Sequence, residues 1–201
     1  MILDIEPIQE EEDVGDFDIP PMPANKVIPL KVPKVSPNRA RLEKDLKVCN
    51  NINSNCLKCK FIGDNQWDVL LTPIPGTVLD KSFQSFKRSN SYPDNGIHLC
   101  IVFPPDYPNQ IPLIYNSKPN LQGGSIFSGA FCNSALSRSK WKPVFNVSQP
   151  LLAICDFLLY HSSISVSNGS HSFSEAVAQY GWIFGSAHTN WGLPDWIRNL
   201  K

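Results

Sequence analysis

Two apolar runs, Cys56 to Ile62 and Gln66 to Ile74, are separated only by Gly63-Asp64-Asn65. So short a link closes an antiparallel hairpin, since parallel neighbours need a crossover of a dozen residues or more. Gly96 to Phe103 and Gln110 to Tyr115 read as two further strands, which completes a four-stranded antiparallel meander. On either side of it the apolar spacing becomes helical. A first helix is expected to begin near Ser36-Pro37, a cap residue followed by a proline whose missing N–H costs nothing there. Leu42, Asp45, Leu46 and Cys49 then share one face. Ser148 to Tyr160 carries the stripe Leu151, Ile154, Cys155, Leu158 and Leu159, with Pro150 in its first turn. Ser172-Phe173-Ser174-Glu175 matches a capping box, and the helix after it is expected to stop at Gly192-Leu193-Pro194. Strands grouped in the middle and helices at the ends define an α+β chain.

The 201 residues suit one domain plus extensions. Residues 37–201 are read as that domain and 1–36 as an acidic, then proline-rich arm, disordered or extended. The formal charge is zero, but Asp4, Glu6, Glu10, Glu11, Glu12, Asp13, Asp16 and Asp18 precede any Lys or Arg. The remainder therefore holds ten acids against eighteen bases. Those bases are scattered, so the expectation is no nucleic-acid partner; docking on an acidic protein, or the tail folding back, suits the asymmetry better. No secretory signal is seen and the six cysteines are read as reduced, which suits cytoplasm or nucleus. The longest apolar run, Pro150 to Tyr160, is half of what a membrane span needs. Cys56-Leu57-Lys58-Cys59 has half the spacing of a zinc site. In a strand its sulfurs point to opposite faces and no second pair matches it, so no metal is expected.

Cys132 is the residue that asks for chemistry. It ends the stretch Gly123-Gly124-Ser125-Ile126-Phe127-Ser128-Gly129-Ala130-Phe131, whose three glycines allow open backbone beside a thiol. A thiol that takes an acyl group and then gives it up suits cysteine, because thiolate is both a good nucleophile and a good leaving group. A Ser-His-Asp or Cys-His-Asn pattern is not seen nearby, and the Gly-Lys-Ser/Thr ending of a phosphate loop is absent.

Four segments in one order carry a family resemblance. They are Ile97 to Pro108 with its Tyr107-Pro108, the glycine-rich approach to Cys132, Trp141-Lys142-Pro143, and the helix from Leu151 to Leu159. Together they resemble ubiquitin-conjugating enzymes from about Asn38 to Trp191, most of all the Q-type subfamily, which similarly carries a long insert where residues 75–95 hold Leu79, Phe83 and Phe86 at helical spacing. The resemblance implies the ubiquitin-conjugating fold: an N-terminal helix, the meander, an active-site loop and C-terminal helices. It implies that ubiquitin is accepted as a thioester on Cys132, with ATP used by the upstream activating enzyme and no bound cofactor. The other implied partners are a ubiquitin ligase and a protein substrate.

Lys118-Pro119-Asn120 resembles the family's His-Pro-Asn with lysine for histidine, twelve residues before Cys132, so Asn120 is a candidate oxyanion donor; Asn133, a backbone N–H or His98 compete. His161 is a candidate for orienting the incoming lysine, against a plain interaction with its helix end. Arg39, Arg41, Lys44 and Lys47 would meet the activating enzyme, and Pro143, Val144 and Phe145 would meet partners, although lysine at 142 and Asn109-Gln110 after the Tyr-Pro depart from the family pattern. The same fold without chemistry, as a binding module, is the alternative; an unrelated cysteine hydrolase is a weaker third.

Overall fold

The computed structural model describes residues 28–33, 38–52, 55–161 and 163–200. Most of the expected arm, and the expected cap at Ser36-Pro37, lie outside them. Helix α1 (Arg39–Ile52) begins where the Asn38 side chain accepts the Arg41 N–H at 3.2 Å, a capping arrangement that asparagine favours. Its buried face is Leu42, Asp45 and Cys49.

Strands β1 (Leu57–Gly63), β2 (Gln66–Leu71), β3 (Ile97–Val102) and β4 (Leu113–Lys118) form the antiparallel meander. Several bounds differ from the sequence reading by a residue and β4 runs on to Lys118, but the two largest shortenings are explained by proline. Strand β2 stops short of Pro73 and β4 starts after Pro112, because neither imide can donate to a ladder. In β2, Trp67, Val69 and Leu71 are fully buried while Gln66, Asp68 and Leu70 alternate with them half-buried. The period of two thus turns one face into core.

Helix α2 (Val78–Asn90) fills the long β2–β3 connection. The Thr77 hydroxyl caps it by accepting the Asp80 N–H at 3.2 Å, and Leu79, Phe83 and Phe86 face inward. After β4 come β5 (Asn120–Gln122), β6 (Ile126–Phe127) and β7 (Ala130–Phe131). The last two extend the meander to six strands in the order β1-β2-β3-β4-β7-β6. Helix α3 (Ser148–Tyr160) buries Leu151, Ile154, Cys155, Leu158 and Leu159. Strand β8 (Ser165–Ser167) then returns to pair with β5.

Helix α4 (Phe173–Trp182) carries the full capping box between Ser172 and Glu175, and the two Ser172 hydrogen bonds hold the Glu175 carboxyl below its usual range. It widens into a π-turn over Ile183–Ala187 and stops there, not at Gly192-Leu193-Pro194, because His188 leaves helical geometry and stacks on Trp191 at 4.1 Å. A one-turn helix α5 (Asp195–Arg198) follows Pro194.

Candidate active site around Cys132

Cys132 leaves β7 at the open end of the β6–β7 hairpin, where its N–H donates to Ser125 O at 2.7 Å. The residue before it is fixed from beneath: the Phe131 N–H donates to Tyr180 Oη at 3.0 Å, and the same hydroxyl donates to Ile114 O. Tyr180 is wholly buried, so each of these groups would otherwise be a buried orphan. The thiol itself is half-buried, and all six cysteines are free. Burial pushes it up to about 11 from 9.0. Burial thus favours the protonated thiol near neutral pH.

The glycines are there because nothing else fits. At Gly123, φ is +97° and a Cβ would lie 2.0 Å from Ser163 O; at Gly124, φ is +59° and a Cβ would lie 2.7 Å from His161 Cε1. The loop after α3 is thus pressed onto the backbone next to Ser125, and His161 comes with it. Its ring packs edge-on against Phe157, and its Nδ1 accepts the Ser163 N–H at 3.3 Å, which leaves Nε2 unengaged by Ser163. The structure thereby brings His161 to the glycine approach of Cys132.

Asn120 is not brought there. A bridge pairs Gly123 with Ile126, so β5 runs away from the thiol, and Asn120 stands three residues further on, roughly 10 Å at about 3.3 Å per residue. Its Oδ1 accepts from His171 Nε2 at 2.6 Å. Burial holds His171 below the ordinary histidine range, in the neutral form suited to that single donation. The competitors are also placed. His98 has both ring nitrogens on carboxylates, Asp68 at 2.8 Å and Asp94 at 3.1 Å. Asn133 gives its N–H to Phe131 O, while its Oδ1 accepts from Ala135 N at 2.9 Å.

Arg41 links the two groups of expected partner residues. Arg41 grips Asp45 Oδ1 and Oδ2 at 3.0 and 3.1 Å and donates to Phe145 O at 2.6 Å, tying α1 to the 143–145 loop. Arg41 is therefore committed to partners within the molecule, whereas Arg39 pairs with Glu43 at the exposed surface and lies 3.6 Å over the Phe61 ring. Lys44, Lys47 and Pro143 are exposed, and Val144 is 81% exposed. Between this loop and the segment after Cys132 lies a groove of about 410 Å³, floored by Ala135, Trp141, Phe145 and Pro150. Trp141 is anchored by its indole N–H on Pro108 O at 2.8 Å, which joins the Tyr-Pro turn to the groove.

His171 and Tyr180 are not among the site residues expected from the sequence, although Tyr180 lies on the buried face of α4, where a buried hydroxyl signals a partner to be found. Cys56 precedes β1 in a turn, and Cys59 lies within the strand, its backbone clamped by the Asn50 side chain at 2.8 and 3.0 Å. Among the described residues, no group of three or more His, Cys, Asp or Glu is placed to hold a metal ion. Among them also, no helix is long and apolar enough to cross a membrane.

No family model matches the sequence, and no curated protein matches it. Among solved structures, the chain is similar to a ubiquitin-conjugating enzyme E2 of Plasmodium falciparum, with 21% identity and a TM-score of 0.47 over 62% of this chain and 85% of that one. It is similar to human ubiquitin-conjugating enzyme E2 G1 at 19% identity and a TM-score of 0.47, over 60% and 93%. It is also similar to the E2 domain of a Toxoplasma gondii ubiquitin-conjugating enzyme at 21% identity and a TM-score of 0.46, over 80% and 97%.

Proposed function

We propose that the chain is a ubiquitin-conjugating enzyme that accepts the carboxyl end of ubiquitin on Cys132 and passes it to a substrate lysine or to a ligase. The observation that carries this is the setting of the thiol: half-buried, free, and held through its own N–H on Ser125 O, next to the Gly123-Gly124 backbone against which His161 packs. Open glycine backbone there suits an extended main-chain tail. In the first step the Cys132 sulfur attacks the thioester carbonyl on the activating enzyme, whose cysteine leaves as thiolate. In the second an amine attacks the new carbonyl, and Cys132 leaves in turn. His161 Nε2 is the group suited to orient that amine or to take its proton. Lys44, Lys47 and the Pro143–Phe145 loop are the surface for the activating enzyme and ligase. The α2 insert supports the Q-type assignment.

The displacement of Asn120 and the elevated thiol favour a second reading, a binding module that holds ubiquitin or a ligase without turnover. Discharge separates the two. A Cys132 thioester prepared with activating enzyme, ATP and ubiquitin, then freed of ATP, should lose ubiquitin to added lysine over minutes if the chain is an enzyme. A thioester that survives lysine as long as buffer alone would support the binding module.

A further inference from the structure

We infer that residues 28–33 and helix α4 form one positioning unit for the Cys132 loop, with Ser174 and Tyr180 as its positioning residues. This rests on the reading of Cys132 as the acceptor thiol. The segment is extended, with Leu30 and Val32 turned against the core and Lys31 exposed between them. Buried side chains fasten it at both ends. Ser174 Oγ accepts the Leu30 N–H at 2.7 Å and donates back to Leu30 O, while Asn65 Nδ2 donates to Pro33 O at 2.9 Å. Ser174 is 9% exposed and Asn65 is 4% exposed. The strap therefore spans from the first turn of α4 to the β1–β2 turn, and its loss takes from Ser174 its bonds to Leu30 while Asn65 keeps its bond to Phe103 O.

Helix α4 carries the effect onward. Tyr180 lies six residues beyond Ser174, about 9 Å along the axis at 1.5 Å per residue. It holds the Phe131 N–H, immediately before the thiol, while Gln179 reaches Ser128 in the turn of the same hairpin. Both ends of the β6–β7 hairpin thus hang on α4, and α4 is pinned by the strap. When the strap lifts, the hairpin gains freedom, Cys132 becomes more exposed to small reagents, and the geometry for accepting a protein thioester is lost.

Site-resolved alkylation with iodoacetamide, read by mass spectrometry, tests this without ubiquitin. Ser174→Ala should raise the Cys132 rate at least roughly fivefold, the effect of one neutral hydrogen bond, and deletion of 1–33, which also removes the Asn65 bond to Pro33 O, should raise it no less. Buried Cys49 and Cys155 should keep their rates. Ser174→Thr, which retains the hydroxyl, and deletion of 1–27, which retains the strap, should match the intact chain. The charging rate should fall in the first pair and hold in the second. A uniform rise at Cys49, Cys132 and Cys155 would show general loosening and overturn the assignment, as would an unchanged Cys132 in both strap variants. If the alkylation pattern appears but the intact chain takes no ubiquitin, the positioning unit stands and the reading beneath it falls.

Discussion

Arg41→Ala separates a residue that holds the fold from one that meets a partner. In the intact chain the Arg41 guanidinium makes two hydrogen bonds to Asp45 and one to Phe145 O, and the Asp45 side chain is 2% exposed. Truncation leaves that carboxylate with the Tyr107 hydroxyl as its remaining side-chain donor among the described residues and takes from Phe145 O its cation. Breaking a buried pair from one side costs about 3–5 kcal/mol. The Arg41 side chain is 25% exposed, so water partly replaces it, and we expect about 2–3 kcal/mol. For a domain of this size that is a fall in melting temperature of roughly 5–10 °C.

Urea titration is the assay, with two companion variants. Arg41→Lys keeps the charge but loses the planar fork, so it should fall between. Adding Asp45→Asn to Arg41→Ala removes the stranded charge and should restore at least about 1 kcal/mol. If Arg41→Ala stays within about 0.5 kcal/mol of the intact chain yet slows charging, the residue works at an interface and the latch reasoning fails.

Gly124→Ala forces a Cβ to 2.7 Å from the His161 ring at φ +59°, so it should cost about 1–2 kcal/mol and swing His161 aside; heat denaturation and the chemical shifts of the His161 ring check it, and unmoved shifts would refute the contact. With its thiol at about 11, Cys132 should alkylate about tenfold faster per pH unit from pH 7 upward, because thiolate grows with pH until that value is passed; a plateau near 9 would show an unburied thiol. Asn120→Ala removes the partner of His171 and should cost about 1 kcal/mol by urea titration while leaving lysine discharge within about twofold; a hundredfold loss would place Asn120 at the reaction after all.

What the sequence could disclose followed from local chemistry. The apolar stripe of α3, the capping box at Ser172 and Glu175, and the short β1–β2 turn each contain their own signal, and the structure has all three where that signal lies. Strand bounds were read too long or too early where Pro73 and Pro112 interrupt the ladder, although both prolines were visible. The place of Asn120 was beyond reach, since motif spacing does not say that β5 pairs with β8 and turns its amide to His171. The same holds for Arg41, whose partner Phe145 lies 104 residues away. Long-range polar pairing depends on tertiary closure, and no local period encodes it.

The central claim is that the sulfur of Cys132 carries ubiquitin's carboxyl end. Mass spectrometry of the intact chain after incubation with activating enzyme, ATP and ubiquitin measures that directly. A single adduct, mapped to Cys132, cleaved by reductant, absent from Cys132→Ala and reductant-resistant in Cys132→Ser, is the predicted result. An adduct that persists in Cys132→Ala, or an intact chain that takes none, would contradict it.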